Sequence, residues 1–122
     1  MNARFEGRIG HLLVVEDSAL LAMDVELTAL DLGVERVSVA PNAPEALRLL
    51  ETSDINAALV DVFLGKDDGR AVAKRLAELG ISFALMTGSG DIAGLKAQLP
   101  DAPILAKPFM KDQLAETLDQ LC

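Results

Sequence analysis

The chain has 122 residues, which fits one compact domain, and 51% of them are hydrophobic, which excludes a disordered chain. Eleven basic residues stand against 19 acidic ones, a net charge of -8 that argues against nucleic-acid binding. No apolar stretch is long enough to span a bilayer, and the single cysteine, Cys122, cannot form an internal disulfide. We therefore expect a cytoplasmic protein that binds neither nucleic acid nor membrane.

The first part of the chain predicts two strands and two helices. An apolar run at residues 11–15 predicts a buried strand, and Ser18 then opens a helix that Gly33 ends. Four apolar residues recur along this helix at helical spacing: Leu20, Met23, Leu27 and Leu30. The β-branched residues in 34–40 predict a second strand, and Asn42 is a suitable N-cap for a second helix.

The rest of the chain predicts three more strands, each followed by a helix. A continuous apolar run ends at Asp61 and is followed by a turn at residues 65–69. The later elements are a helix at 70–79 with Ala71, Val72, Leu76 and Leu79 on its apolar face, a strand at 81–86, a weak helix at 91–99, a strand at 102–106 and a last helix with Leu114, Leu118 and Leu121. Five repetitions of strand and helix predict an α/β fold, a doubly wound parallel sheet of five strands with five helices.

Polar side chains follow four of the predicted strands at the point where each ends. They are Glu16 and Asp17 after the first, Asp61 at the third, Thr87 at the fourth and Lys107 at the fifth. The carboxyl ends of parallel strands share one edge of the sheet, so these groups can converge there. Crowded carboxylates need a cation, and Mg²⁺ suits oxygen ligands. A carboxylate can also accept a phosphoryl group, although each residue alone could equally belong to a turn, a cap or the surface.

The ordered set resembles the receiver domain of two-component response regulators, over residues 12–121. The matching motifs are Val14-Val15-Glu16-Asp17, Leu59-Val60-Asp61, Asp68-Gly69, Thr87-Gly88 and Lys107-Pro108-Phe109. The resemblance implies the flavodoxin-like fold of these receivers and a phosphoacceptor role for Asp61.

The same resemblance implies a role for each remaining site residue. Asp17, Asp61 and the backbone carbonyl of Phe63 would bind Mg²⁺, with Glu16 acting through water. Lys107 would pair with the phosphoryl oxygens, and the hydroxyl of Thr87 would move to them. The peptide bond before Pro108 would be cis.

The resemblance also implies the domain organisation and the partners of the protein. It predicts one receiver domain over residues 1–122, with residues 1–10 as a mobile N-terminal extension and no output domain. The phosphoryl donor would be a histidine kinase or a histidine phosphotransfer protein, and a downstream protein target is a further expected partner. The partner face is expected on the fourth strand, the weak helix and the last helix. We expect a monomer or weak dimer that signals and is not an enzyme.

Three positions depart from the usual pattern or refine it. Ile104 stands where many receivers have an aromatic residue that rotates inward on activation, so the usual coupling to Thr87 is absent. Phe63 is bulky and would either shield the acyl phosphate from water or plug the end of the strand. Phe83, with Thr87 and Gly88, resembles the FATGUY subgroup of stand-alone receivers.

The sequence also allows other functions and another domain context. One is a small Mg²⁺-dependent phosphohydrolase with an aspartyl-phosphate intermediate, although Phe63 stands where such enzymes often carry a second acid. Another is a degenerate receiver that binds partners without phosphorylation. Met1 and the end at Cys122 favour a stand-alone protein over a receiver fragment of a hybrid histidine kinase. His11, at the start of the first strand, is expected to be structural.

Overall fold

The helices and strands follow the chain in the predicted alternation. A computed structural model describes residues 8–64, 67–88 and 102–121, with backbone only for residues 63, 64, 67 and 68. The elements are β1 (His11–Val15), α1 (Ala19–Asp31), β2 (Arg36–Ala40), α2 (Ala43–Thr52), β3 (Ala57–Asp61), β4 (Phe63–Leu64), β5 (Asp67–Asp68), α3 (Gly69–Leu79), β6 (Ser82–Thr87), β7 (Ile104–Ala106) and α4 (Lys111–Leu121).

Five of the strands form one parallel sheet in the order β2-β1-β3-β6-β7. This confirms the predicted α/β class and the five-stranded parallel sheet. The short strands β4 and β5 pair with each other in an antiparallel hairpin. Four helices lie in the part of the chain that the structure describes, and the expected weak helix at 91–99 lies outside it.

Strands β1 and β3 are buried along their whole length, as their continuous apolar sequences predict. Successive side chains point to opposite faces of the sheet and enter two separate cores. Leu12, Val14 and Leu59 belong to the core that includes residues of α1 and α4. Leu13 and Val60 belong to the other, which includes residues of α2 and α3. The sheet is therefore covered by helices on both faces.

Local sequence signals explain where the helices begin and end. The Ser18 hydroxyl accepts a hydrogen bond from the Leu21 amide at 3.4 Å, and the Asn42 side chain accepts one from the Glu45 amide at 2.9 Å. Gly33 and Gly80 follow helices with φ of 106° and 72°, a conformation that favours glycine. These caps confirm the predicted starts of α1 and α2.

The apolar row recognised in α1 is not the buried face of that helix. Leu20, Met23, Leu27 and Leu30 are all exposed, whereas Ala22, Val25 and Ala29 are buried against the sheet. Both faces of α1 are apolar, so spacing alone could not tell the core from the surface. The predicted apolar face of α3 is likewise wrong at Ala71 and Leu79, which are exposed, while Ala73 is buried in their place.

Element boundaries differ from the predictions by a few residues. Strands β2 and β7 begin later than predicted, and part of the predicted turn at 65–69 forms β5 and the first residue of α3. Ile9 is buried, and its carbonyl accepts a hydrogen bond from the Glu35 amide at 3.1 Å. The hydrophobic core thus includes a residue that the sequence analysis assigned to the N-terminal extension.

No helix in the described ranges is long and apolar enough to cross a membrane.

Candidate functional site

Four adjacent strands bring the predicted site residues to one edge of the sheet. Glu16 and Asp17 follow β1, Asp61 ends β3, Thr87 ends β6 and Lys107 follows β7. Because these strands are parallel neighbours, their carboxyl ends lie side by side. The sequence prediction that these residues converge is confirmed for Glu16, Asp17, Asp61 and Lys107 by the contacts described below.

The three carboxylates form one cluster. Glu16, Asp17 and Asp61 each offer an oxygen atom, and the three atoms lie within 4.8 Å of one another. Glu16 and Asp61 are buried, whereas Asp17 is exposed, so the cluster opens to solvent on the Asp17 side. Three negative charges this close repel one another unless a cation neutralises them.

Lys107 supplies a positive charge between two of these acids. Its ammonium group donates hydrogen bonds to Asp61 Oδ2 at 2.8 Å and to Glu16 Oε1. Burial disfavours the charged ammonium, but the hydrogen bonds to Asp61 and Glu16 outweigh that effect and raise the pKa of Lys107. Lys107 therefore remains charged throughout the physiological pH range.

The backbone of Lys107 is joined to the end of β6. The Lys107 amide donates to the Thr87 carbonyl at 2.8 Å, which extends the pairing of β7 with β6 beyond the strand. The Lys107–Pro108 peptide bond is cis, as the family resemblance implied. Thr87 itself is fully buried at the end of β6, next to this turn.

Glu16 joins the acidic cluster to the start of α1. Its second oxygen, Oε2, accepts a hydrogen bond from the Ser18 amide at 3.1 Å, and Ser18 is the N-cap of α1. Both oxygens of Glu16 are thus engaged by protein groups. Asp17 and Asp61 are the carboxylates better placed for direct contact with a metal ion.

Gly69 is a site feature whose role the sequence analysis did not identify. A Cβ atom at this position would lie 2.2 Å from the backbone oxygen of Asp61, a distance that no real side chain tolerates. The Gly69 amide also donates to the Val62 carbonyl at 3.1 Å. The first turn of α3 therefore packs directly on the backbone of Asp61, which only glycine permits.

A cavity of about 90 Å³ lies beside Lys107, and the sequence did not predict it. Its walls combine α1, the last residues of β6 and the turn after β7, and they comprise Glu16, Leu21, Asp24, Val25, Met86, Lys107, Pro108 and Phe109. Lys107 and Glu16 therefore line both the cavity and the acidic cluster. Such a juxtaposition arises only from the tertiary fold, so a single sequence carries no signal for it.

The structure also gives the positions of three further residues that the sequence analysis discussed. His11 lies at the opposite end of β1 from Glu16, and its Nε2 is 2.7 Å from the Ser38 hydroxyl. Ile104 is half-buried and packs against the second core. The backbone of Phe63 lies in β4, two residues after Asp61, and its side chain is outside the described residues.

The chemistry of the cluster favours a hard divalent cation. All of its donor atoms are carboxylate oxygens, and no histidine or cysteine belongs to the group found in the described residues. Oxygen-only sites of this kind suit Mg²⁺ or Ca²⁺ and not Zn²⁺. Asp17, Asp61 and nearby backbone carbonyls could hold such an ion.

Comparison with known proteins places these observations in a family context. The sequence model of the response regulator receiver domain family matches residues 12–119 of this chain. A search of curated proteins finds no significant match. The structural comparisons below describe folds that this chain resembles.

Three solved structures illustrate the similarity. SdrG from Sphingomonas melonis Fr1 is 34% identical, with a TM-score of 0.74, and the match covers 93% of this chain and 96% of that one. The signal receiver domain of a modulated diguanylate cyclase from Desulfovibrio desulfuricans G20 is 30% identical, with a TM-score of 0.81 and 93% of both chains covered. A Burkholderia pseudomallei response regulator solved with a phosphorylated aspartic acid and a calcium ion is 27% identical, with a TM-score of 0.78, covering 93% of this chain and 66% of that one.

Proposed function

The chain belongs to the response regulator receiver domain family, and from that premise we propose that it is a phosphoacceptor switch of a two-component system. Asp61 accepts the phosphoryl group, and a histidine kinase or a histidine phosphotransfer protein donates it. The observation that supports this most strongly is the Lys107 ammonium group, which lies 2.8 Å from the Asp61 carboxylate at the edge of the sheet.

The proposed reaction is an in-line transfer. A carboxylate oxygen of Asp61 attacks the phosphorus atom, the new O–P bond forms, and the N–P bond to the donor histidine breaks with its electrons left on the imidazole. Such a transfer depends mainly on positioning and on neutralising the phosphoryl oxygens. Lys107 is already held beside Asp61 and would pair with one of these oxygens. The Thr87 hydroxyl would donate to another.

We infer that the acidic cluster holds Mg²⁺. Asp17, Asp61 and the Phe63 carbonyl would be direct ligands, and Glu16 would act through water because both of its oxygens contact protein groups. When bound, the ion supplies positive charge next to the phosphoryl oxygens. The calcium ion and phosphorylated aspartate named in the similar Burkholderia structure are consistent with this combination.

We propose that the switch acts through protein partners in the cytoplasm. The net charge of -8 makes direct contact with nucleic acid unfavourable, so DNA is not the expected target. The expected partners are the phosphoryl donor and a downstream protein, and the chain itself is a monomer or weak dimer. Membership of the FATGUY subgroup stays a prediction based on Phe83, Thr87 and Gly88.

A metal titration and a phosphorylation assay test this function together. Calorimetry should detect one Mg²⁺ site in the wild type and a strongly weakened one in Asp17→Asn. With Mg²⁺ and acetyl phosphate, the intact mass should rise by one phosphoryl group in the wild type and stay unchanged in Asp61→Asn. Failure of both measurements would leave only a partner-binding receiver.

A phosphohydrolase is the second candidate, and turnover separates it from a receiver. A phosphohydrolase would release phosphate continuously from small phosphate esters. A receiver would release phosphate only from a high-energy donor such as acetyl phosphate, and only through its own acyl phosphate. Phe63 stands two residues after Asp61, where such enzymes often carry a second acid, so we expect no ester hydrolysis.

A further inference from the structure

Strand β2 lies at one end of the five-stranded sheet, and the described chain places no strand beyond it. Solvent reaches this outer edge, since Arg36 and Val39 are exposed and Val37 is half-buried. Edge strands of soluble proteins usually carry a proline, a lysine or an inward-pointing charge that prevents pairing with another strand. The segment from Val37 to Ala40 carries none of these. The edge of β2 is therefore open to a further strand.

The backbone groups on the open edge follow from the contacts of β2 with β1. The Arg36 amide donates to a carbonyl just before β1 at 3.1 Å, and the Ala40 carbonyl accepts from an amide just after β1 at 3.0 Å. Successive residues of a strand direct their amide and carbonyl groups to opposite sides. The amides and carbonyls of Val37 and Val39 therefore point away from β1, toward the open edge.

A second copy of β2 fits this edge in one antiparallel register. With a two-fold axis at Ser38, Val37 of each copy lies opposite Val39 of the other, and each such pair exchanges two backbone hydrogen bonds. An axis at Val37 would instead need the amide of Glu35, which already donates to a carbonyl of its own chain at 3.1 Å. An axis at Val39 would need an amide at Pro41, which has none. Of these three registers, only the one centred on Ser38 gives every outward group a partner.

The side chains favour the same arrangement. It brings the β-branched side chains of Val37 and Val39 together as cross-strand pairs. The two Arg36 residues stay about 14 Å apart, because four residue steps of about 3.4 Å separate them, and at that distance salt screens their repulsion. Each Arg36 lies opposite Ala40 of the second copy, toward the first turn of α2, whose acidic residue is Glu45. The register thus separates like charges and brings opposite charges closer.

We propose that two copies of this chain associate through the edges of β2 into a weak two-fold dimer with one continuous ten-stranded sheet. This inference does not depend on the proposed function. The contact is small and each copy carries a net charge of -8, so we expect a dissociation constant on the order of 0.1–1 mM. Because the strands of the two copies run in opposite directions, the two acidic sites lie at opposite edges of the joined sheet.

Sedimentation equilibrium tests the dimer and its location. The wild type should associate reversibly between about 0.05 and 1 mM, and more strongly at high salt, which screens the repulsion between two acidic copies. Val39→Glu should weaken the association at least about tenfold, because it puts a charge on the paired edge. Leu79→Glu adds the same charge at an exposed leucine of α3 and should change the association less than about twofold. A monomeric wild type, or equal weakening by both variants, would overturn the proposal. Far-UV circular dichroism checks that both variants fold.

Nuclear magnetic resonance of the unmodified wild type tests the register without any substitution. The amide protons of Val37 and Val39 should shift with protein concentration, because they gain a hydrogen-bond acceptor only in the dimer. The Arg36 amide already donates to its own chain and should shift much less. Concentration-dependent shifts that cluster on a helix surface and spare β2 would place the contact elsewhere and overturn the proposal.

Disulfide trapping tests the position of the two-fold axis. In a Cys122→Ser background, Ser38→Cys should form a disulfide-linked dimer on mild oxidation, because opposite residues at the axis have Cα atoms about 4.5 Å apart. Leu79→Cys in the same background is the control for random collision between exposed thiols, and it should crosslink much more slowly. Equal rates of crosslinking in the two variants would contradict an axis at Ser38.

Discussion

Lys107 and Asp61 are 46 residues apart in the sequence, yet the Lys107 ammonium group lies 2.8 Å from Asp61 Oδ2. The same ammonium contacts Glu16, so one cation neutralises two buried carboxylates from two different strands. Because the lysine follows β7 and the acids lie at the ends of β1 and β3, the strand order β1-β3-β6-β7 within the sheet assembles this contact. Stability and the proposed chemistry therefore depend on the same three side chains.

Removal of the Lys107 ammonium group should destabilise the fold and make it depend on a metal ion. In Lys107→Ala the buried carboxylates of Glu16 and Asp61 lose their cation, which typically costs about 3–5 kcal/mol of unfolding free energy. Mg²⁺ should restore more stability to this variant than to the wild type because it replaces the missing charge. Urea unfolding followed by circular dichroism, with and without Mg²⁺, measures both effects.

Lys111→Ala is the matched control for that experiment. Lys111 pairs with Asp31 on the surface, and both side chains are more than half exposed. Loss of an exposed ion pair should change the unfolding free energy by no more than about 1 kcal/mol. Similar losses in the two lysine variants would contradict the assignment of a special role to Lys107.

The close approach of α3 to Asp61 predicts that Gly69 does not tolerate a side chain. In Gly69→Ala the new methyl group would collide with the Asp61 carbonyl, whereas in Gly88→Ala it would meet no described atom within 4 Å. We expect Gly69→Ala to lose about 1–3 kcal/mol of stability and to slow phosphorylation by acetyl phosphate. Gly88→Ala should stay within about 0.5 kcal/mol of the wild type.

The readouts for the glycine pair are the urea midpoint and the rate of mass gain with acetyl phosphate. Position 88 adjoins Thr87, so this control also tests whether any added methyl group near the site is harmful. Equal stability of the two glycine variants would show that the first turn of α3 adapts without moving Asp61.

The burial of His11 predicts that the protein loses stability at mildly acidic pH. The side chain is buried, its Nδ1 has no hydrogen-bond partner in the described part of the chain, and its Nε2 contacts Ser38. Burial lowers the pKa of His11, Arg36 lowers it further, and Asp54 partly opposes both. The folded state then binds the proton less readily than the unfolded state. Full stability is expected above the unfolded pKa of about 6.5, with a decline as the pH falls below it.

Comparison with His11→Phe isolates this effect, because no other histidine is present in the chain. Unfolding free energies measured between about pH 5 and pH 7.5 should fall more steeply toward acid in the wild type than in the variant. Parallel curves would show that His11 binds a proton equally well in the folded and unfolded states.

The sequence predicted the sheet and the convergence of polar residues at its edge because both follow from local patterns. The apolar runs of β1 and β3 have one low-energy environment, buried on both faces of a parallel sheet. Polar residues directly after such strands then lie at a common edge, which is why Glu16, Asp61 and Lys107 could be grouped without a structure. The caps Ser18 and Asn42 act within one helical turn and were predictable for the same reason.

The sequence could not predict which face of α1 is buried. Ala22, Val25 and Ala29 are smaller than the leucines beside them, yet they are the residues of α1 that are buried. The choice depends on the volume left by β1 and α4, which is a property of the assembled core. The clash distance at Gly69 and the cavity beside Lys107 depend in the same way on contacts between distant elements.

The most direct test of the phosphoacceptor role is the intact mass of the protein after incubation with Mg²⁺ and acetyl phosphate, followed by mapping of the modified peptide. We predict one added phosphoryl group on the peptide that contains Asp61, lost in Asp61→Asn and in samples without Mg²⁺. A phosphoryl group on another residue, or equal modification of Asp61→Asn, would contradict the assignment of Asp61 as the phosphoacceptor.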